Sequence, residues 1–176
     1  MFENENTWAN AVKTNSQDEF HKKFDSSLEF LNSEFGKVYP LIINGKEVRA
    51  EKTFDVRSPS DTRIILAKFP LATKEQTIQA IQSAKQAFVE WSATQYQNRA
   101  KIFREVATQF SQEKFVLAAI VSLENGKNRL EAMGELDETI DFLRFYADQL
   151  EAHQGFVNAT KNASPNEKTQ SVRKLS

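Results

Sequence analysis

The 176-residue sequence contains no cysteine, five glycines, four prolines and two histidines. Without cysteine it cannot form a disulfide, a thiolate metal site or a thiol nucleophile, and two isolated histidines cannot supply a histidine-rich metal cluster. The glycines are scattered, so the sequence lacks a glycine-rich turn that would hold a pyrophosphate at a helix N-terminus. These absences exclude several classes of catalytic and metal site from this sequence.

The sequence also lacks an excess of one charge and a long apolar run. Lysine and arginine number 23 against 24 aspartates and glutamates, which leaves a net charge of -1. This balance gives no electrostatic footprint for nucleic acid or for an anionic membrane surface. No apolar run approaches the ~20 residues of a membrane span, and the first residues are acidic and polar, unlike a signal peptide. We therefore expect no nucleic-acid or membrane partner, and a cytoplasmic location.

What the sequence does contain is material for a sizeable core, with 40% hydrophobic residues and 14 phenylalanines. Residues 1–38 are predicted to form an N-terminal helical extension. Ser16 and Glu19 have the spacing of a capping box, and apolar residues then recur at helical spacing until Gly36 and Pro40 end the run. Trp8 is expected to pack in the core and His21 to be exposed.

Residues 39–72 are predicted to form a small antiparallel sheet. Asn44-Gly45 lies between two short strand-like runs and is a strong hairpin signal. Two further strand-like runs, at residues 53–57 and 64–69, are separated by a stretch rich in turn-forming residues.

Residues 73–155 are predicted to be helical. Thr73 and Gln76 form a second capping-box pattern, followed by an apolar stripe that ends at Trp91, which is expected in the core. Helices are predicted over residues 99–110 and 112–123, and Gly126 supplies the positive φ that separates them from a long helix ending by Gly155. The residues expected to be buried in the two shorter helices are Ile102, Phe103, Val106, Phe110, Phe115, Ala118, Ala119 and Val121.

Residues 156–176 make a fourth segment. Residues 156–168 have the composition of a surface loop, and residues 169–175 alternate as an exposed strand would. His153, just before this segment, is expected to be exposed.

Five segments occur in the order found in the N-terminal part of the aldehyde dehydrogenase superfamily. They are Ile43-Asn-Gly45, Thr53-Phe-Asp-Val with Ser58-Pro59, the Ala84-to-Trp91 helix, Leu123-Glu-Asn-Gly-Lys127, and Gly134-Glu-Leu-Asp-Glu continuing to Tyr146-Ala147. The sequence from about residue 39 to residue 150 therefore resembles this superfamily. Residues 33–41 further resemble the segment that precedes the hairpin in the 1-pyrroline-5-carboxylate dehydrogenase branch, which oxidises L-glutamate γ-semialdehyde in proline degradation.

The resemblance implies the N-terminal portion of an α/β fold, mainly helical with a small antiparallel β region, and incomplete without downstream Rossmann-like and catalytic domains. In the superfamily a cysteine thiolate attacks the aldehyde, NAD accepts the hydride, and a glutamate activates the hydrolytic water. This sequence lacks the thiolate, the general-base glutamate and the NAD-binding turn, so we expect it to be inactive alone. NAD would be bound by the rest of the same polypeptide. A homo-oligomer is also implied, with its sheet beginning near residues 169–175.

Glu138 is the residue to which the resemblance gives a role in substrate binding. It aligns with a residue that lines the substrate tunnel, where this branch has a glutamate. A carboxylate suits a substrate that carries an ammonium group, whereas apolar aldehydes would favour an apolar residue. The residues alone leave an alternative open, because Glu131, Glu135 and Glu138 share one helix face that could simply be solvated.

Glu124 is the candidate metal ligand. In relatives, an acidic residue before Asn-Gly-Lys contributes to a monovalent cation site together with backbone carbonyls that correspond to Val56 and Arg57. The alternative is that Glu124 only ends a helix, where a carboxylate interacts unfavourably with the helix dipole.

Two other functions remain compatible with the sequence. One is another semialdehyde dehydrogenase branch, and the other is a non-catalytic helical module that binds a protein through its apolar stripes. If the sequence is a segment of an enzyme, the apolar stripes at residues 78–91 and 140–150 should partly face outward and leave a large exposed apolar patch.

Overall fold

A computed structural model describes residues 4–159 and 170–172 of the chain, with side chains described for residues 4–156. This part contains six α-helices, one 3₁₀ helix (Gln154–Phe156) and six short strands. The helices are α1 (Thr7–Lys13), α2 (Gln17–Ser33), α3 (Lys74–Ala93), α4 (Tyr96–Gln112), α5 (Lys114–Asn125) and α6 (Arg129–Ala152). The strands are β1 (Leu41–Ile43), β2 (Lys46–Val48), β3 (Thr53–Arg57), β4 (Ile65–Pro70), β5 (Val157–Ala159) and β6 (Gln170–Val172). The architecture is thus mostly helical, as predicted.

The strands pair as three separate antiparallel ribbons, β1 with β2, β3 with β4, and β5 with β6. The predicted Asn44-Gly45 hairpin is confirmed, with positive φ values of 53° and 69° at its two turn residues. The antiparallel β region predicted at residues 39–72 is present, but its four strands form two ribbons and not one sheet. Strand β4 uses its other edge to bind the segment before β1. There Lys68 N donates to Lys37 O at 2.9 Å and Tyr39 N donates to Lys68 O at 3.0 Å.

Helices α3 and α6 begin at side-chain caps. The predicted capping box of α3 is present, with Gln76 N donating to Thr73 Oγ1 at 3.2 Å and Thr73 N donating to Gln76 Oε1 at 2.9 Å. Asn128 Oδ1 accepts from the first backbone N–H groups of α6. Gly126 has a φ of 71° at the end of α5, as its position in the sequence predicted.

The capping box predicted at Ser16 and Glu19 does not form. Ser16 precedes α2, but its backbone is not extended and its Oγ lies 2.8 Å from Thr14 Oγ1 rather than on an α2 N–H group. The cause is the additional short helix α1, which ends at Lys13 and turns the chain back immediately before Ser16. No sequence pattern predicted α1 as a separate helix.

The core lies mainly between α2, α5 and α6, with α6 also packed along α4. Phe24, Met133 and Ile140 are the largest fully buried side chains. Burying a side chain of this size contributes about 1.5–3 kcal/mol to the free energy of unfolding. These three residues therefore hold α2 and α6 in the core. Ala118 and Ala119 of α5 are buried as predicted, and Trp8 packs on the edge of the same cluster.

Several predicted core residues are exposed instead. Ile102, Phe103 and Trp91 are 43%, 39% and 43% exposed, and no residue of α3 is buried. On α3 the exposed apolar residues are Ile78, Ile81, Phe88, Val89 and Trp91. On α6 they are Leu130, Phe142, Phe145 and Tyr146. The α3 stripe therefore faces outward, as predicted. On α6, Ile140 and Ala147 of the predicted stripe are buried, and the exposed apolar residues lie on other faces of the helix.

The C-terminal part combines one confirmed and one incorrect prediction. Strand β6 lies within the predicted strand at residues 169–175, and the other residues of that range lie outside the described ones. The loop predicted for residues 156–168 is wrong at β5, which pairs with β6 through Asn158 opposite Ser171. Residues 160–168 also lie outside the described residues. Among the helices described, none has the length and apolar character needed to cross a membrane.

Candidate functional site

Helix α6 carries the glutamates that the sequence placed on one face. Glu131 and Glu138 are exposed, whereas Glu135 is half-buried and its carboxylate pairs with Lys127 Nζ. Lys127 lies before the Asn128 cap, so it precedes the helix and binds back to it. The structure therefore leaves the Glu138 carboxylate at the surface of α6, within reach of a ligand.

Asp137, the neighbour of Glu138, points into the protein and is 9% exposed. Its carboxylate accepts two hydrogen bonds from Thr7, one from the backbone N–H at 2.7 Å and one from Oγ1 at 2.6 Å. Burial raises the pKa of Asp137, although both Thr7 hydrogen bonds act in the opposite direction. Asp137 was not among the predicted site residues, yet its spacing of four residues from Met133 and three from Ile140 places it on the apolar side of the helix.

Glu5 is the second buried acidic residue near α6. Its carboxylate forms ion pairs with Arg144 at 2.7 Å and with Lys114 at 2.9 Å, and its side chain is 9% exposed. Burial alone would raise the pKa of Glu5, but hydrogen bonds from Lys114, Ser111 and Arg144 outweigh burial and lower it. Sequence patterns do not reveal this cluster, because Glu5 is more than a hundred residues away from Lys114 and Arg144 in the chain.

Glu124 is exposed at the C-terminal end of α5, two residues before Gly126. A Cβ placed on Gly126 would lie 3.3 Å from Ser60 Oγ, so this junction closely approaches the turn between β3 and β4. The β3–β4 register shifts between Val56 and Arg57, which is the signature of a β-bulge. A bulge leaves one residue unpaired, and because Val56 pairs with Ala67 and Arg57 with Ile65, that residue is Leu66 of β4.

The described residues 4–156 contain no group of three or more histidine, aspartate or glutamate side chains arranged to hold a metal ion. A cation bound mainly by backbone carbonyls would not require such a group.

An apolar groove of about 540 Å³ lies between α4 and the C-terminal half of α6. Its lining residues are Trp91, Arg99, Phe103, Phe145, Tyr146, Gln149, Leu150 and Phe156. Within the described structure, Arg99 Nε is a buried donor without a hydrogen-bond partner. A buried donor of this kind is costly unless another group pairs with it, and the groove beside it is an open apolar surface.

Comparison with known proteins agrees with this architecture. The sequence model of the aldehyde dehydrogenase family matches residues 47–174. The chain belongs to the aldehyde dehydrogenase family. It is 33% identical over 126 residues to 1-pyrroline-5-carboxylate dehydrogenase of Staphylococcus haemolyticus. This alignment covers 72% of this chain and 24% of that protein. It is 34% identical over 138 residues to 1-pyrroline-5-carboxylate dehydrogenase 2 of Bacillus subtilis, covering 78% and 27%.

Solved structures of the aldehyde dehydrogenase family show the same fold. A Thermus 1-pyrroline-5-carboxylate dehydrogenase with bound NAD superposes with a TM-score of 0.85 at 25% identity, covering 98% of this chain and 32% of that one. Proline utilization A from Bdellovibrio bacteriovorus gives a TM-score of 0.78 at 32% identity, covering 88% and 16%. The chain thus spans about a quarter of the curated relatives and matches the N-terminal portion of the aldehyde dehydrogenase fold.

Proposed function

We propose that this chain is the N-terminal part of an NAD-dependent aldehyde dehydrogenase that oxidises L-glutamate γ-semialdehyde to L-glutamate. The proposal is supported by its similarity to 1-pyrroline-5-carboxylate dehydrogenases over more than 70% of its length. Other branches of the family would share the fold, so the substrate assignment depends on a side chain rather than on the architecture.

The observation that carries the substrate assignment is the exposed carboxylate of Glu138 on α6. The core packing of Met133 and Ile140 fixes the helix, and Glu138 projects from the opposite, exposed face. A carboxylate at this place can accept hydrogen bonds from the ammonium group of glutamate semialdehyde, and such charge-assisted bonds are about twice as strong as neutral ones. A short apolar aldehyde cannot make this bond, so the residue discriminates between the two substrates.

The reaction itself is assigned to the rest of the enzyme. The chain contains no cysteine, so the nucleophilic thiolate, the general-base glutamate and the NAD site are proposed to lie in the remaining part of the family fold. The outward-facing apolar residues of α3 and the groove beside Arg99 support this division, because a larger fold would cover both. We accordingly propose that the chain is inactive when it is alone.

Several further properties belong to the same proposal. They are NAD as the cofactor, a homo-oligomer whose sheet includes β6, a cytoplasmic location, and a monovalent cation held by Glu124 with the carbonyls of Val56 and Arg57. The organisation into an N-terminal extension, a β region, a helical part and a C-terminal strand, divided near residues 38, 72 and 155, is likewise proposed. The exposed carboxylate of Glu124 at the end of α5 supports the cation site.

The test of the substrate assignment is Glu138→Met in the complete enzyme. We expect kcat/KM for L-glutamate γ-semialdehyde to fall at least about tenfold, equivalent to about 1.4 kcal/mol in the transition state, while kcat/KM for propanal changes little. Glu131→Met is the matched control, because Glu131 is also exposed and lies two turns earlier on α6. This variant should leave kcat/KM unchanged for both aldehydes. Equal losses on both aldehydes in Glu138→Met would refute the assignment.

A further inference from the structure

The N-terminal segment binds successive turns of α6 through polar groups. Thr7 donates two hydrogen bonds to Asp137, and Glu5 N donates to Asp141 Oδ1 at 3.1 Å. One turn further along, the Glu5 carboxylate pairs with Arg144. These residues, Glu5, Thr7, Asp137, Asp141 and Arg144, are called the N-terminal clamp. They hold residues 5–7 along the part of α6 that runs from Asp137 to Arg144.

Glu5 also connects the N-terminal clamp to a second helix. Its other carboxylate oxygen binds Lys114 at the start of α5, and the side chains of Lys114 and Arg144 are only 20% and 23% exposed. Removing one partner of a buried charge pair leaves the other uncompensated, so such networks resist displacement more strongly than surface pairs do. The segment therefore braces α5 and α6 together.

The N-terminal clamp lies beside the residue that the proposed function places in contact with substrate. Asp137 and Glu138 are consecutive, and a helix turns by about 100° per residue, so Asp137 faces inward while Glu138 faces outward. Apolar packing around Met133 and Ile140 holds α6 in the core, but it is not directional. The two hydrogen bonds from Thr7 are directional, and they act within one residue of Glu138.

We propose that Asp137 and Glu5 are positioning residues, which fix the rotation and axial placement of α6 through the N-terminal clamp and thereby place the Glu138 carboxylate for the substrate. This inference rests on the proposed function of Glu138. It adds a role for a segment before residue 47, which lies outside the part matched by the family model.

The first test measures docking of the segment in the chain itself. Trp8 on α1 packs against Phe20, with ring centroids 5.0 Å apart, so its fluorescence reports whether α1 is in place. In a Trp91→Phe background, Asp137→Ala is expected to shift Trp8 emission to longer wavelength. Asp137→Asn, which keeps a hydrogen-bond acceptor for Thr7, should retain most of the original emission, as should the control Glu131→Ala.

The second test measures substrate positioning in the complete enzyme. Asp137→Ala is expected to raise KM for L-glutamate γ-semialdehyde about five- to tenfold, with a small effect on kcat, because a displaced binding group loses orientation rather than chemistry. The kinetics of propanal oxidation should stay within about twofold, and Asp137→Asn should restore most of the loss. If Asp137→Ala does not fold, Thr7→Val removes the hydroxyl hydrogen bond from the other side and should give the same pattern with a smaller amplitude.

The outcomes separate the two proposals. Unchanged Trp8 emission in both Asp137→Ala and Thr7→Val would overturn the N-terminal clamp, whatever the activity. A shifted emission with equal losses on both aldehydes would reduce Asp137 to a structural residue and also overturn the positioning role. If Glu138→Met itself affects both aldehydes equally, the substrate assignment fails, whereas the Trp8 result still reports the docking of α1.

Discussion

Replacing Gly134 with alanine should stabilise the chain. Gly134 lies inside α6, is exposed, and has no positive φ, so the backbone does not require a glycine there. A Cβ at this position would meet no atom of the described structure within 4 Å. The substitution therefore adds helix propensity without adding a clash.

The expected gain follows from the properties of glycine in helices. Glycine in a helix interior is about 0.8–1.0 kcal/mol less favourable than alanine, mainly because it loses more backbone entropy on folding. The new methyl group at position 134 has no close neighbour, so packing adds nothing to this gain. We expect Gly134→Ala to raise the free energy of unfolding by about 0.5–1 kcal/mol.

Two other glycines provide matched comparisons. Gly36 has a φ of +74° with no atom within 4 Å of a Cβ, so Gly36→Ala tests the conformational cost alone. Gly126 has a φ of +71°, and a Cβ there would lie 3.3 Å from Ser60 Oγ. The left-handed conformation costs an alanine about 1–2 kcal/mol, so both substitutions should destabilise the chain. Gly126→Ala should destabilise it more, because the β3–β4 turn must also move.

The assay is urea unfolding followed by far-ultraviolet circular dichroism, with the slope m compared between variants so that midpoint shifts report stability. The predicted order of stability is Gly134→Ala, wild type, Gly36→Ala and Gly126→Ala. A Gly134→Ala variant no more stable than wild type would refute the reasoning, because it would mean that the open space beside α6 is occupied in solution. Equal losses at positions 36 and 126 would show that the contact with Ser60 adds no cost.

Two further predictions concern pH and cations. Because burial raises the folded-state pKa of Asp137, the folded chain binds a proton there more tightly than the unfolded chain does. The stability contributed by protonated Asp137 is therefore lost as pH rises from the unfolded value of 3.8 through the folded pKa. Unfolding measured across that window should show Asp137→Asn gaining stability relative to wild type as pH rises, and a constant difference would contradict this. If Glu124 binds a monovalent cation, Na⁺ or K⁺ should raise Tm relative to tetramethylammonium at equal ionic strength. Glu124→Gln should abolish this difference. Equal Tm values of the wild-type chain in the different cations would count against the site.

Local sequence signals determined most of the secondary structure. Thr73 with Gln76, Asn44-Gly45 and Gly126 each specify a cap or turn through interactions with near neighbours, and the structure has all three where the sequence placed them. Ser16 shows the limit of such signals. It has the same capping-box pattern with Glu19, but its hydroxyl contacts Thr14 at the end of α1 and does not cap α2. The ordered motifs that identify the aldehyde dehydrogenase family are likewise readable without coordinates, because they are contiguous.

Tertiary structure decided which acidic residue is buried and which is exposed. The sequence singled out Glu138 but passed over Asp137 and Glu5, whose partners Thr7 and Arg144 are more than a hundred residues away in the chain. It also predicted that Ile102 and Phe103 are buried, although they face outward. Periodicity reveals that a helix has an apolar side, but burial depends on which element packs against that side. Which elements pack together is set by the whole fold. The sequence by itself therefore determined the secondary-structure elements and the family, whereas the tertiary structure determined the N-terminal clamp and the exposed apolar face.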